Sequence, residues 1–412
     1  MATDITEDGT SRQASLLRAF SYRDFRLIWG AQILSELGDW AARIALGVLV
    51  YARTGSTVLT AMVTAAGLIP WLGLGQALAS LGDRFPRRNV MVISDVVRAG
   101  SFLAMTTVRP AWALLVLAFV AGSATPPFEA ARAAVIPEAV TEEGYGDALT
   151  LSNITYQVVL VLGYLFGGGL VALVGAKTAL TINASSFAAS AVLLAMLRSG
   201  RLVHSVSTVG ASLKTAFRVI FGDPYLRRAS AIATICSSCA IVGEALVVVY
   251  VRENISATSD GAIGILAAAV PAGTILASFL VRRRGEHAEL LRTSAFVVIA
   301  GSIGGIIWFF ISPPNYWAAA AFFSLGITFA LAIPVYAVIG TRLPEESRAT
   351  AFGLLQGILL GGQAVGALLG GALAIWVGAG PASALALFPA LGFALYAYLV
   401  PPGGRLALRW KQ

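Results

Sequence analysis

The chain has 412 residues, of which 57% are hydrophobic and 12% are charged, and its mean hydropathy is +0.79. A water-soluble domain carries about 25% charged residues, so the composition excludes an ordinary soluble enzyme and indicates an integral membrane protein. The net charge of +8 is interpreted by position, because basic residues concentrate in the cytoplasmic loops of membrane proteins.

Twelve apolar segments are long enough to cross a bilayer, which takes about 20 residues of α-helix. In chain order they are 26–52, 56–80, 90–108, 111–134, 148–174, 177–198, 229–251, 260–281, 292–311, 315–341, 349–378 and 381–400. We predict an all-α membrane protein with twelve transmembrane helices in two pseudo-symmetric six-helix halves. The predicted parts are an N-terminal segment (1–25), the first half (26–198), a central linker (199–228), the second half (229–400) and a basic tail (401–412).

Basic residues are distributed unevenly between the two sides of the predicted bundle. Most arginines lie in the N-terminal segment, the loops after the second, eighth and tenth spans, the central linker and the tail. The opposite loops offer only Arg53, Arg109, Lys177 and Arg252. The asymmetry predicts a multi-pass protein of the cell membrane whose two termini and central linker are cytoplasmic.

A repeat relates the two halves. The sequence "LASLGDRFPRR" (78–88) follows the second span, and "LASFLVRRRGE" (276–286) follows the eighth. Duplicated six-helix halves around a site at the bilayer midplane are typical of transporters. A receptor or a membrane enzyme has no need of them, so the repeat predicts a transporter without a catalytic site.

Four polar residues lie within the first apolar segment: Gln32, Glu36, Asp39 and Arg43. Their spacings of four, three and four place them on one helix face. Charge at membrane depth is unfavourable unless it is paired or faces water, so this face is expected to contact a cavity or a partner helix. One interpretation is a packing ion pair between Asp39 and Arg43. The other is a transport role, with Glu36 as the proton carrier and Asp39 kept ionised by Arg43.

Two further residues are predicted to face the same cavity. Glu244 is the one acidic residue well inside the seventh span, at a depth similar to that of Arg43 in the other half. We expect Arg43 and Glu244 to pair when the outer mouth closes; alternatively, Glu244 lies near enough to the outer interface to be solvated. Tyr336, beside Pro334 in the tenth span, is a candidate for stacking on an apolar substrate.

A charged cluster surrounds the loop after the second span. It comprises Asp83, Arg84, Arg87, Arg88, Asp95 and Arg98. Arg98 lies three residues from Asp95 and is expected to pair with it. We predict a cytoplasmic latch that forms in one conformation and breaks in another, while part of the arginine run only sets topology. The second repeat has Val281 in place of Asp83, so the first half is expected to carry most of the gating.

Three other motifs receive plainer interpretations. Glu129 and Arg132, near the cytoplasmic end of the fourth span, are predicted to form a structural pair. Cys236 and Cys239 lack the further ligands that a zinc site needs, so no metal site is predicted. "GYLFGG" (163–168) and the glycine-rich eleventh span are predicted to pack tightly against neighbouring helices. No ATP-binding Gly-x-x-x-x-Gly-Lys-Ser/Thr motif is present, so nothing in the sequence indicates ATP as the energy source, and no cofactor is expected.

The sequence resembles the major facilitator superfamily. "GDRFPRRNVMVISDVVRA" is similar to its signature loop, although Ala79 and Pro86 stand where glycines are usual. "GYLFGG" resembles the antiporter motif, with Tyr164 in place of proline. "GAQILSELGDWAARIALGVLVYARTGS" and "FEAARAAVIPEAV" resemble more narrowly the macrolide efflux proteins and the enterobactin exporter. The resemblance implies a proton-coupled exporter of the bacterial inner membrane, with helices 1, 4, 7 and 10 lining a central cavity.

We therefore expect proton-coupled antiport of an amphipathic organic compound, such as a drug, a macrolide-like natural product or a siderophore. The expected partners are that substrate and the lipid bilayer, with no nucleic acid, and the protein is expected to be a monomer. Two alternatives stay open. The scarcity of His, Cys and Met near the spans disfavours metal-ion export, and the retained midplane charges argue against a transporter-like sensor or lipid-handling protein.

Overall fold

The computed structural model describes residues 18–72, 85–199, 217–218, 220–255, 260–282, 287–314, 316–342 and 345–400. No β-strand occurs within these ranges, and nearly all of the described residues are helical. The predicted all-α membrane fold is confirmed.

The described residues of the first half form six α-helices. They are α1 (Arg23–Thr54), α2 (Thr57–Leu68), α3 (Arg87–Thr107), α4 (Ala111–Ser123), α5 (Thr125–Ala139) and α6 (Glu142–Ala195). The fourth predicted span consists of α4 and α5, which meet at Ala124, and α5 begins with Thr125, Pro126 and Pro127. Proline lacks an N–H group but fits the first turn of a helix, so these prolines end one helix and start the next.

The part of the second half that the structure describes forms eight α-helices. They are α7 (Pro224–Ala245), α8 (Val247–Asn254), α9 (Asp260–Arg282), α10 (His287–Ile311), α11 (Ala318–Ile327), α12 (Ala332–Arg342), α13 (Glu345–Val377) and α14 (Ala379–Leu399). Asp223 caps α7 by accepting hydrogen bonds from the N–H groups of Tyr225 and Leu226, at 2.7 and 3.2 Å. The pair α7–α8 is bent by 46° and covers the seventh predicted span. The tenth span is likewise divided, by the 3-10 turn Thr328–Leu331.

The described helices follow the predicted order of spans. Eight helical segments, or nine with the bent pair α7–α8, are long and apolar enough to cross a membrane. In addition, α1 has spanning length at 32 residues but carries charged side chains in its interior. Since 73–84 lie outside the described residues, the second predicted span is followed only as far as Leu72, and the predicted count of twelve is covered only in part.

A glycine divides α6 into two arms, 142–174 and 176–195, because 54 residues are too many for one span. Gly175 has φ 78° and ψ 160°. Gly378, between α13 and α14, has nearly the same conformation, with φ 83° and ψ 168°. Residues with a side chain rarely adopt such positive φ angles, so both tight turns require glycine. We call the end of the bundle with these turns the distal end, and the end with Arg23 the proximal end.

The two halves pack against each other along two helix pairs near the distal end. A Cβ atom placed on Gly168 of α6 would lie 2.4 Å from the Cα of Gly264 in α9. A Cβ atom on Gly371 of α13 would lie 2.5 Å from the Cβ of Ala61 in α2. Small residues let helix backbones approach this closely, so the glycines set the distance between the halves.

Asp24 fastens the proximal end of α1 to the end of α6. Its Oδ2 accepts hydrogen bonds from the N–H groups of Arg198 and Ser199, at 3.0 and 2.7 Å, and from the Ser199 hydroxyl at 2.8 Å. Burial by itself raises the pKa of Asp24, but these hydrogen bonds and the charge of Arg23 bring the pKa below its ordinary value of 3.8. The ionised carboxylate therefore stabilises this junction.

Candidate functional site

The distal part of the polar face of α1 borders a cavity. The exposed fraction of the side chains on this face rises toward the distal end. Gln32 is 1% exposed, the Glu36 side chain is 12% exposed, the Asp39 side chain is 30% exposed, and Arg43 is exposed. Asp39 and Arg43 line a pocket of about 120 Å³ between α1, α2, α3, α4 and α5. The structure thus places all four predicted residues on one face, with Asp39 and Arg43 the most accessible.

Gln32 forms the closed end of this face and ties α1 to α6. Its side-chain Nε2 donates a hydrogen bond to the carbonyl oxygen of Ser152 at 3.1 Å. Its Oε1 atom is buried and accepts no hydrogen bond from the described residues. Gln32 is therefore better placed to hold the two helices together than to contact a substrate.

Glu36 belongs to a group of three charges shared by α1 and α5. The Arg132 Nη2 atom lies 3.9 Å from Glu36 Oε1 and donates a hydrogen bond to Glu129 Oε2 at 2.6 Å. The Glu36 Oε2 atom is buried and accepts no hydrogen bond from the described residues. The predicted Glu129–Arg132 contact is thus formed, but as part of a network with Glu36 and not as a separate pair.

The depth of Arg132 explains this difference from the sequence-based interpretation. The fourth span was predicted to end at residue 134, which would place Arg132 at the cytoplasmic surface. In the structure α5 continues to Ala139, so Arg132 lies about 10 Å inside the helix end at a rise of 1.5 Å per residue. At that depth its guanidinium reaches Glu36 on the neighbouring helix.

Asp39 pairs with an arginine of another helix. Arg98 Nη1 in α3 lies 3.3 Å from Asp39 Oδ2, and Arg98 Nη2 donates to Asp95 Oδ1 at 2.5 Å. Asp95 Oδ2 accepts a further hydrogen bond from the Ser190 hydroxyl of α6 at 2.6 Å. The predicted Asp95–Arg98 contact is present, whereas the alternative pairing of Asp39 with Arg43 is not formed.

Aromatic rings hold Arg98 in place. Its guanidinium carbon lies 4.3 Å from the centre of the Phe128 ring and 4.6 Å from that of Phe187. Cation–π contacts of this kind are strengthened when the cation is shielded from water, and Arg98 is only 3% exposed. Arg98 is therefore fixed by α3, α5 and α6, and Asp39 brings α1 into the same cluster.

Arg43 and Glu244 occupy neighbouring positions without forming the predicted ion pair. The Arg43 guanidinium lies over the Trp40 ring, 4.3 Å from its centre. The Glu244 carboxylate of α7 accepts a hydrogen bond from the Tyr164 hydroxyl of α6. Glu244 acts on Arg43 only as a nearby charge. The contact between the halves at this level is therefore Tyr164 with Glu244.

Tyr336 lies in α12 of the second half and contacts the neighbouring helix α13. Its hydroxyl donates a hydrogen bond to Gln356 Oε1 of α13, and its ring stacks on Phe352 at 5.8 Å between centres. Tyr156 of α6, which the sequence analysis did not single out, is exposed and interacts electrostatically with both Glu36 and Tyr336. A single tyrosine in an apolar helix carries no periodic signal, so sequence reasoning missed it.

The described part of the predicted gating cluster holds the first half together. Arg87 donates hydrogen bonds to the carbonyl oxygen of Ala134 at 3.1 Å and to the Glu138 carboxylate. Arg88 donates to the carbonyl oxygen of Ala195. These contacts join α3 to α5 and α6. Asp83 and Arg84 lie outside the described residues.

The two cysteines are both free, and Cys236 is buried. Within the described ranges, no three His, Cys, Asp or Glu side chains are grouped so that they could hold a metal ion. The charged residues that line the pocket are one carboxylate, Asp39, and one guanidinium, Arg43.

A family model described as the Major Facilitator Superfamily matches residues 28–343, which is most of the chain. The chain belongs to the major facilitator superfamily. As a member of this superfamily it is a multi-pass membrane transporter of a small molecule and not an enzyme.

Curated relatives include other transporters of the superfamily. The chain is 26% identical over 368 residues to the uncharacterized MFS-type transporter YfiS of Bacillus subtilis, covering 84% of this chain and 86% of the relative. It is 24% identical over 367 residues to the multidrug efflux pump Tap of Mycolicibacterium fortuitum, covering 84% and 88%. Macrolide efflux protein A of Streptococcus pyogenes is 27% identical over 143 residues, covering 32% of this chain and 35% of the relative.

Solved structures share the major facilitator fold of this chain. A POT family transporter in complex with 5-aminolevulinic acid has a TM-score of 0.73 at 9% identity, covering 92% of this chain and 96% of that one. A bacterial homolog of the human lysosomal transporter Spinster, in an inward-facing and occupied conformation, has a TM-score of 0.71 at 15% identity, covering 92% and 95%. At these identities the similarity shows the fold alone.

Proposed function

We propose that this transporter exports an amphipathic organic compound in exchange for protons, by alternating access. The observation that carries the proposal is the Glu36–Arg132–Glu129 group, in which a poorly exposed carboxylate shares an arginine with a more exposed one. The relatives named as multidrug and macrolide efflux pumps support the direction of transport and the substrate class. The proton gradient would then be the energy source, with no bound cofactor.

Glu36 is the proposed proton carrier. An ionised carboxylate with one oxygen buried and lacking a hydrogen bond is unfavourable, and protonation relieves that cost. Arg132 offsets part of the charge, since it lies 3.9 Å from Glu36, but its shorter hydrogen bond goes to Glu129. Glu36 can thus gain a proton while Arg132 keeps its bond to Glu129.

The more exposed groups of the cavity are proposed to contact the substrate. The side chains of Asp39 and Glu129 are 30% and 36% exposed, so both carboxylates are accessible to a positively charged group. Trp40, Tyr156 and Tyr336 supply apolar rings with polar edges, which suit an amphipathic compound. Charge and aromatic surface together favour an organic substrate over a bare metal ion.

The orientation in the membrane is part of the proposal. Arg23, Arg87, Arg88 and Arg198 lie at the proximal end, and the excess of basic residues on that side supports a cytoplasmic location for both termini and the central linker. The close helix contacts near the distal end would then hold the outer side closed. We further propose that 26–198 and 229–400 move as the two halves of a monomer.

Inside-out vesicles that contain the protein test the function. We expect uptake of at least one member of a panel of macrolides, lipophilic amines and siderophores, and we expect that collapsing the proton gradient abolishes it. Uptake that persists without the gradient would overturn antiport. Uptake of divalent metals alone would favour metal-ion export, and binding without any uptake would favour the sensor or lipid-handling alternative.

A further inference from the structure

Two opposite charges on α1 remain apart although they are one turn away from each other. Asp39 and Arg43 have the i, i+4 spacing at which such side chains commonly pair, and they line the same pocket. Oδ2 of Asp39 is already paired with Arg98. Within the described ranges, no ion pair joins Arg43 to a carboxylate. One carboxylate oxygen and one guanidinium are therefore available to a bound molecule.

The guanidinium of Arg43 is arranged to accept an anion. One face lies on the Trp40 ring, which leaves the N–H groups at its edge free to donate. A guanidinium donates two parallel hydrogen bonds to a carboxylate or phosphate, and this geometry is specific to arginine. The hydroxyl-bearing residues Thr64 and Thr125 line the same pocket, among mainly apolar residues.

The size of the pocket limits what it can hold. Its volume of about 120 Å³ is below the roughly 300–1,000 Å³ of sites that enclose a whole drug-sized molecule. The pocket therefore fits only one end of a substrate, whose remainder must lie outside it. Asp39 lines the pocket, and its side chain is 30% exposed.

We propose that the pocket at Arg43 binds the anionic end of a zwitterionic substrate and that Asp39 binds its ammonium group. This inference rests on the proposed function and names the substrate class: amphipathic compounds that carry both an amine and a carboxylate. The rise along α1 from Asp39 to Arg43 is about 6 Å, so the two charges of the substrate are separated and do not neutralise each other.

A second role for Arg43, as a gate that closes on Glu244, makes a different prediction. In the structure Glu244 is already bonded to Tyr164. If Arg43 acted through Glu244, removing either charge would affect all substrates alike. If Arg43 binds the substrate anion, the loss of Arg43 weakens the binding of only those compounds that carry a carboxylate.

Equilibrium binding to the purified full-length protein separates these roles. The probes are norfloxacin and ampicillin, each compared with its methyl ester, which keeps the amine and loses the negative charge. We expect the wild type to bind each acid at least tenfold more tightly than its ester, because a hydrogen bond to a charged group stabilises by about 1.5–3 kcal/mol and each 1.4 kcal/mol is tenfold. Arg43→Gln should abolish this preference by weakening the binding of the acids and leaving the binding of the esters unchanged. Arg43→Lys should restore part of the preference.

Control variants keep the result interpretable. Arg53→Gln removes another arginine of α1, which donates to the carbonyl oxygen of Val108 away from the pocket, and should retain the preference. Glu244→Gln should retain it too, and each variant must elute as one symmetric peak in size-exclusion chromatography. Equal binding of acid and ester by the wild type, or binding of neither, would overturn the inference. Export of organic cations in the vesicles would leave the proposed function standing in that case.

Discussion

The Tyr164 hydroxyl donates a hydrogen bond to the Glu244 carboxylate, and this contact joins the first half of the bundle to the second. The Tyr164 ring lies 5.2 Å from that of Trp40, on which Arg43 rests. The link between the halves is thus in direct contact with the polar face of α1. A substrate or proton that moves this face can weaken the link, which is what alternating access requires.

Tyr164→Phe should shift the protein toward a conformation with the distal end open. The hydroxyl contributes a hydrogen bond to a charged group, worth about 1.5–3 kcal/mol, in the closed conformation alone, so the ratio of open to closed should rise at least about tenfold. Spin labels at Thr57 and Trp376, in a variant without the two native cysteines, report the distance between the distal ends of α2 and α13. An unchanged distance distribution would show that the hydrogen bond does not bias this equilibrium.

Glu36→Gln should uncouple transport from the proton gradient. The amide keeps the size of the side chain but cannot gain or release a proton, so uptake into inside-out vesicles should fall to the level measured without a gradient. Glu129→Gln is the matched comparison, because it alters the same Arg132 contact and leaves Glu36 in place. We expect that variant to be slower but still gradient-dependent. Full gradient-driven uptake by Glu36→Gln would remove it from the role of proton carrier.

Arg98→Gln should destabilise the protein strongly, and Asp95→Asn should rescue it. Removing the guanidinium leaves Asp95, which is 0% exposed, as an uncompensated buried charge, at a cost of about 3–5 kcal/mol. In the double variant that charge is also absent, so the loss should be smaller than in Arg98→Gln alone. The measurement is the unfolding temperature, in detergent, of Arg98→Gln, of Asp95→Asn and of the double variant. Additive losses would mean that the two side chains stabilise the fold independently.

Gly168→Ala should loosen the contact between the halves, whereas Gly169→Ala should have little effect. The added methyl at Gly168 meets the Gly264 backbone at 2.4 Å, but a Cβ atom at Gly169 has no neighbour within 4 Å. The helices α6 and α9 must separate to admit the first methyl and need not move for the second. The unfolding temperature and the Thr57–Trp376 spin-label distances should change in Gly168→Ala alone. The same change in both variants would point to helix propensity as the cause.

The contribution of Asp24 to stability should depend on pH. Because its pKa is lower in the folded protein than the ordinary 3.8, its stabilising effect is present above that pH and is lost as the pH falls through the folded value. Asp24→Asn should therefore unfold at a lower temperature than the wild type at pH 7 and pH 5, and the difference should narrow below pH 3.8. A difference that stays constant down to pH 3 would mean that the ionised carboxylate is not what stabilises the junction.

The order of the helices and the polar face of α1 were predictable from sequence, because both are periodic patterns within one segment. The spacing of Gln32, Glu36, Asp39 and Arg43 defines a face without any knowledge of neighbouring helices. The partners of that face were not predictable in the same way. Asp39 pairs with Arg98 and not with Arg43, and which of two arginines is nearer depends on how α1 and α3 are rotated and tilted.

Depth was the second quantity that the sequence left open. Arg132 reaches Glu36 because α5 continues to Ala139, beyond the point at which the apolar run ends. Tyr164 was noted as a substitution for proline in an antiporter motif, and its hydrogen bond to Glu244 required the positions of both halves. Contacts between spans distant in sequence therefore account for most of what the structure added.

The tight turn at Gly175 couples the movements of the two arms of α6. A single residue connects the two arms, so there is no slack by which one arm could slide along the membrane normal without the other. Tyr164 lies on the first arm and Ser190, which bonds Asp95, lies on the second. A displacement of the first arm at the Tyr164–Glu244 contact therefore also moves the second arm. Through Ser190, that movement reaches the buried Asp95–Arg98 pair.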